Sequence, residues 1–348
     1  MNGMCHVLTH RHRTNRLPAS LLYNNLTLID ECAVIVYASH NNCAVVDLSN
    51  QKVHLLPLEA VDEPIVHCTA TFLPCGGANE GPEILILLTT QSSTQLWTPT
   101  RPLSVVSHGG VHGNGSCGAI APASTRGVNI ILGTSKGVVM FAAYHAKRPA
   151  TKQRENSSEN TSPIFRVVSA VKGHKDNAVT AVQVNRYYNS PLLAVSGDVA
   201  GQLLLWSHDQ QPFVSISTLE CVTAVQIVSG GDYVVAANGA GRLIMLDSHT
   251  GSTCIDVCAH SRWIYTLSYH PMCNVLLSGA EDGYVILWLT PAHGSQNVTE
   301  FRPTAAHHMQ NALPTGAAVS ADASQVFITV YDMDGVHQYK ITNSKKGP

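Results

Sequence analysis

Ala259–Trp288, AHSRWIYTLSYHPMCNVLLSGAEDGYVILW, is the stretch that decides the fold. His260 opens it, and Ile264, Leu267, Tyr269 and Pro271 follow. Then come the apolar run Val275–Leu277, Ser278-Gly279, Asp282-Gly283, and Val285-Ile286-Leu287 leading into Trp288. Val, Ile, Leu, Tyr and Trp favour pleated, half-buried strands. Asp-Gly is a strong hairpin turn, because Gly tolerates positive φ. The stretch reads as three short strands joined by tight turns.

The same pattern stands twice more upstream. Gly173-His174 precedes Val179, Val182 and Val184, and then LLAVSGDVAGQLLLW ends at Trp206. Val222, Val225 and Ile227 precede YVVAANGAGRLIML, which ends at Leu246. Gly201, Gly241 and Gly283 each lie five residues before the closing apolar residue, and are 40 and 42 residues apart. Self-similarity at that period, with several strands per unit, predicts the blades of a β-propeller.

Gly173-His174 with Trp206, and His260 with Asp282 and Trp288, resemble the WD-repeat (WD40) family. The resemblance implies a hydrogen-bonded network of His260, Ser278, Asp282 and Trp288, although Ala259 replaces the family's Gly. Buried imidazole and indole N–H groups are costly without acceptors, which is the physical reason for such a set. In the earlier unit His174, Ser196 and Trp206 match, but Ala200 stands where the Asp is expected. The unit ending at Leu246 lacks both His and Trp.

Weaker copies complete the count. Leu26–Ile29, Ala33–Ala38, Cys43–Leu48 and Val53–Leu58 make one blade; Ile65–Phe72, Glu83–Thr89, Thr94–Trp97 and Leu103–Ser107 make a second. Ala119–Ala121, Asn129–Gly133, Val138–Ala142 and Phe165–Val171 make a third. Asn297–Pro303 is expected to supply the sixth blade's last strand through Phe301. The seventh blade starts near Leu313, runs through Gln325–Val330 to Val336–Ile341, and is one strand short. Cys5–Thr9 or Leu17–Leu22 can fill the open edge, as the family's habit of pairing its two chain ends implies. The expectation is an all-β, seven-bladed propeller of four-stranded antiparallel blades over 1–342 as a single domain. A solvated insertion occupies 145–163 in blade three, and 343–348 form a polar tail. Lys147, Arg148, Lys152 and Arg154 make the insertion basic, which fits a tolerated surface loop better than a docking element.

Composition narrows the function. Charged residues are only 13% of the chain against 45% apolar, and formal net charge is −2, so no global field invites nucleic acid or an anionic membrane. The apolar runs are too short to span a bilayer. Ten cysteines without tight pairing, and no secretory apolar segment, point to a reducing, cytoplasmic compartment. The basic amino end, with Arg11, His12, Arg13 and Arg16, allows an organelle presequence as a second reading. Cys254 and Cys258 read as two small core residues on one strand face rather than half a zinc site.

No chemistry stands out. His307-His308 is the only adjacent histidine pair and has no carboxylate or thiol at ligand spacing, so neither metal nor cofactor is expected. Glu281-Asp282 and Asp332-Met333-Asp334 are explained by turn chemistry before acid–base chemistry. The residues favour a non-catalytic scaffold for protein–protein interaction that binds a peptide or protein partner. Its face bearing the His loops and Asp-Gly turns would present Lys175, Asp176, Asn177, Asp198, Arg262, Trp263 and Glu281. Trp263 reads equally as packed between blades. A propeller enzyme or small-ligand receptor using the central channel is the alternative, and a subunit of a trafficking or ciliary complex is a further one. Oligomeric state is not legible.

Overall fold

The computed structural model describes residues 5–13, 17–58, 63–73, 83–124, 127–146, 164–187, 189–295 and 297–344. They form seven four-stranded antiparallel sheets arranged as the blades of a β-propeller. The first strand of each blade lies innermost. In order these are Thr27–Ile29, His67–Leu73, Gly115–Ser124, Val179–Val184, Val222–Val228, Ile264–His270 and Pro314–Val319. Each packs against the next around the ring, and the seventh meets the first. The insertion at 147–163, with its four basic residues, lies outside the described residues, as do Arg16 and 345–348.

Burial follows position within a blade. Second strands are sandwiched between neighbouring blades, so Tyr233–Asn238 is buried at every residue. Outermost strands have one wet face, and Thr253–Cys258 alternates between exposed and half-buried residues. Cys254 and Cys258 lie on that outer strand. Cys254 is half-buried and packs against the core, but Cys258 is not a core residue: it is exposed, and its Sγ accepts a hydrogen bond from Arg242 Nη1 at 3.4 Å. The periodicity identified the strand; its place at the rim decided the exposure. The apolar core is accordingly a set of layers between blades, such as Val235, Met245, Leu267, Leu276 and Trp288 between blades five and six.

The sixth blade's last strand is Arg302–His308, not Asn297–Pro303. Val298–Glu300 forms a 3-10 turn instead, and Phe301 stacks on Trp288 with ring centroids 5.3 Å apart. The adjacent His307-His308 therefore sits in a strand, with His308 packed on Tyr284 at 4.6 Å.

Blade seven is closed by Cys5–Arg13, which pairs antiparallel with Val336–Ser344 from Cys5↔Ser344 to Arg13↔His337. Asn343 and Ser344 thus belong to a strand rather than to a tail. Of the two segments expected to close the ring, the earlier supplies the strand. Leu17–Leu22 crosses blade seven toward blade one, touching it through bridges Pro18↔Asp334 and Ala19↔Tyr331.

A second closure lies at the centre. Asn24 N–H donates to Tyr265 O at 3.0 Å, and Leu267 N–H donates to Asn24 Oδ1 at 2.7 Å, so the approach to blade one bonds to blade six. Asn25 N–H donates to Thr315 O of blade seven at 2.8 Å. This close approach is why position 316 is glycine: a Cβ there would lie 2.5 Å from the Asn25 carbonyl carbon.

Candidate interaction face and central channel

In a four-stranded meander the link into each blade and its second turn lie at the same end. These loops define an upper face, which carries every residue named above for partner binding. The two remaining sets of turns define a lower face.

The His networks hold the upper face. In blade six His260 Nδ1 is 3.1 Å from Asp282 Oδ1, and His260 Nε2 is 2.8 Å from Ser278 Oγ. Trp288 Nε1 donates to the same Ser278 Oγ at 2.9 Å. Asp282 Oδ2 also accepts from Ser261 N–H at 2.9 Å, which fixes the loop to the turn. One acceptor–donor chain thus satisfies an indole, a hydroxyl and an imidazole in the interior.

Blade four has the same circuit with its acid elsewhere. His174 Nε2 is 2.6 Å from Ser196 Oγ, and Trp206 Nε1 donates to that oxygen at 2.8 Å. The carboxylate is Asp198, whose Oδ2 is 3.0 Å from His174 Nδ1. Its other oxygen accepts the turn N–H groups of Ala200 and Gln202 at 2.9 and 2.8 Å. Asp198 is completely buried, so it presents nothing to a partner. The expectation that it faces outward is corrected, and so is the expectation that this blade lacks its acid. Sequence reasoning looked for Asp at position 200, in the register of Asp282. The acid comes instead from the strand end two residues earlier. In blade five Asn238 holds the equivalent place, with Oδ1 accepting from Ala240 and Arg242 N–H, both at 3.1 Å. Burial pushes the His174 and His260 imidazoles below their ordinary pKa, against the opposing pull of Asp198 and Asp282.

The remaining candidates fall into two groups. On blade four Lys175 and Asp176 are exposed, Asn177 is half-buried, and Asp176 is already paired with Lys172 at 2.6 Å. On blade six Arg262 and Glu281 are exposed. Trp263 joins them through its backbone, since Glu281 N–H donates to Trp263 O at 2.9 Å. The Trp263 ring is half-buried and lies over Gly239 of blade five, where a Cβ would come within 2.7 Å of it. Its Nε1 donates to Tyr23 Oη at 2.8 Å, and the Tyr23 ring packs at a tilt on Tyr265, centroids 5.2 Å apart. Trp263 is thus part of the central closure.

The upper face also carries exposed apolar side chains that no motif signalled. Leu219 is 87% and Val111 82% exposed, and Leu21, Val199 and Tyr331 are exposed in other upper loops. Leu219 stands at φ 65°, a left-handed backbone that costs a leucine roughly 1–2 kcal/mol.

The channel enclosed by the inner strands holds about 360 Å³. Thr27, Thr69, Gln183, Gln226 and Ser268 line it, with Asp30, Glu31, Arg186 and His270 at its lower mouth. His270 Nε2 is 2.8 Å from Asp30 Oδ2, joining blade six to blade one past blade seven. That bond raises the His270 pKa to about 9, and burial of His67, whose Nδ1 has no partner, lowers its pKa to about 4. Among the described residues no group of three or more His, Cys, Asp or Glu could hold a metal ion. Among them, too, no helix is long and apolar enough to cross a membrane.

Comparison with known proteins agrees with this geometry. The family "WD domain, G-beta repeat" matches residues 251–288. Mouse WD repeat-containing protein 54 is 24% identical over 257 residues, covering 70% of this chain and 68% of that protein. Human echinoderm microtubule-associated protein-like 4 is 22% identical over 166 residues, covering 47% of this chain and 16% of that protein. A chain from the crystal structure of a mitotic checkpoint complex superimposes with a TM-score of 0.68 at 13% identity, over 97% of this chain and 95% of that chain, a likeness of fold alone.

Proposed function

We propose, from the premise that this chain is a WD-repeat β-propeller, that it is a non-catalytic scaffold whose upper face receives a peptide or protein partner. Leu219 is the observation that carries the reading. An aliphatic side chain held out in water on a left-handed backbone loses free energy twice, through exposure and through strain. Such a residue fits a contact made outside the chain better than any role in folding. Val199, in the neighbouring turn of blade four, widens the apolar surface. Arg262, Glu281 and Lys175 add exposed charges of both signs on the same face, the mixture expected at the rim of a protein interface.

The compartment proposed is the cytosol. Cys43 and Cys68, with Sγ atoms 3.7 Å apart and unbonded, are in keeping with a reducing setting.

Leu219→Gly combined with Arg262→Glu tests the partner face. Affinity capture from cells, read by mass spectrometry against the unaltered chain, is expected to lose specific partners while the melting temperature is unchanged or higher. Capture of the same partners at the same level by the double variant would overturn the assignment. Trp263 is left out of the test, because its loss would also disturb the closure.

A further inference from the structure

The lower face carries a groove of about 540 Å³ under blades four to six, on the side away from the proposed partner face. Arg186, Tyr269 and Pro271 line both this groove and the channel mouth. Arg186 is exposed and, among the described residues, forms no ion pair with a carboxylate. The groove's own acid, Asp232, is engaged: its Oδ2 accepts from Gly294 N–H at 2.7 Å and lies 2.9 Å from His293 Nδ1. Beside Arg186 the Tyr187 hydroxyl is buried without a hydrogen-bond partner. An orphaned hydroxyl in the interior is costly, and this one is shut off from solvent, so Tyr187 offers the groove its ring rather than its hydroxyl. Burial, followed by the neighbouring Tyr269, keeps it protonated, with its pKa pushed up to about 12. Tyr269 likewise offers only its ring. Its hydroxyl donates to Asn274 Oδ1 at 2.9 Å and accepts from Ser229 N–H at 3.1 Å, which leaves its ring as a wall.

We propose that this groove binds an organic oxyanion, a carboxylate or phosphate on a flat apolar body, with Arg186 as its charge partner and the rings of Tyr187 and Tyr269 beside it. Guanidinium groups recognise such planar or tetrahedral oxyanions through paired N–H donors. The tyrosine rings and Pro271 supply the apolar walls that ligand sites combine with a few polar groups. The group could arrive on a small molecule or on a protein side chain, and the chemistry at Arg186 is the same.

Titration of the full chain with phenyl phosphate, followed by ligand-observed NMR and calorimetry, tests the site. Saturable binding is expected. Arg186→Gln is expected to weaken it about tenfold or more, the loss of a charge-assisted hydrogen bond. Tyr187→Phe, which keeps the ring, is expected to leave it unchanged, and benzyl alcohol, which lacks the anion, is expected not to bind. Arg186 is exposed, so the fold should survive its substitution, and an unchanged melting temperature checks this. A second arm compares phenyl phosphate with a short phosphotyrosine peptide: tighter binding of the peptide assigns the group to a protein, and equal or weaker binding assigns it to a small molecule. Absence of saturable binding by either probe, or unchanged affinity in Arg186→Gln, would overturn the proposal. Leu219→Gly with Arg262→Glu leaves this site intact, so the two readings fail separately.

Discussion

The Nδ1 atom of His174 lies 3.0 Å from Asp198 Oδ2, with both side chains sealed from solvent. That distance fixes the proton on Nδ1 and leaves Nε2 to accept from Ser196, which in turn accepts from Trp206. Asp198→Asn would keep the turn bonds, as Asn238 does in blade five, but would offer an N–H to His174 where an acceptor is needed. The imidazole would then change tautomer and orphan the Ser196 hydroxyl. Loss of about 1–3 kcal/mol of stability is expected, read by chemical denaturation at pH 7.5. Asp282→Asn should cost less, since Asp282 is partly exposed.

Stability should fall on both sides of neutrality, for opposite reasons. The half-buried His67 and the buried His174 and His260 have depressed folded-state pKa values. Unfolded histidine titrates near 6.5, so below about that pH the unfolded chain takes up protons these residues cannot, and stability declines. His270 has the opposite sign. Its pKa is raised to about 9, so its contribution is complete below about 6.5 and is lost as pH climbs to about 9. His270→Gln is expected to flatten the alkaline limb of a melting-temperature profile and leave the acid limb. An unaltered alkaline limb would refute the role given to the Asp30 pair.

The central closure predicts a graded series at Asn24. Asn24→Asp keeps the acceptor for Leu267 N–H and should be mild. Asn24→Gly loses that bond and should cost about 1–3 kcal/mol. Asn24→Ala should be the worst of the three, because position 24 stands at φ 51°, where alanine adds strain. Thermal denaturation monitored by Tyr and Trp fluorescence gives the order.

Removing residues 1–13 should leave six blades intact and expose the edge of Val336–Ser344. Exposed strand edges pair with one another, so concentration-dependent oligomers are expected by light scattering. A monodisperse monomer of unchanged melting temperature would count against the pairing of the two ends.

Much of the ring could be read directly. The recurring His, turn glycine and Trp carried blades four and six, and their spacing placed the weaker copies. What escaped has a common cause: position within the ring, which a linear pattern does not encode. Asp198 was missed because two different backbone positions can reach the same imidazole. Cys258 was misread because an outermost strand has the same period as an inner one. Phe301 was put in a strand although its task is to stack on Trp288. Arg186 and Tyr187 gave no signal at all, since neither stands at one of the recurring His, Gly or Trp positions. Leu219 was equally silent, its exposure and backbone geometry being properties of the folded chain.

The pairing of Cys5–Arg13 with Val336–Ser344 has a consequence for biosynthesis. As the ribosome extends the chain, Cys5–Arg13 emerges before the blades and Val336–Ser344 only after them. Blades can stack on one another in the meantime, but the circle stays incomplete throughout, and its earliest segment must wait unpaired. Until its mate arrives, that segment can equally pair with the same edge of a neighbouring molecule.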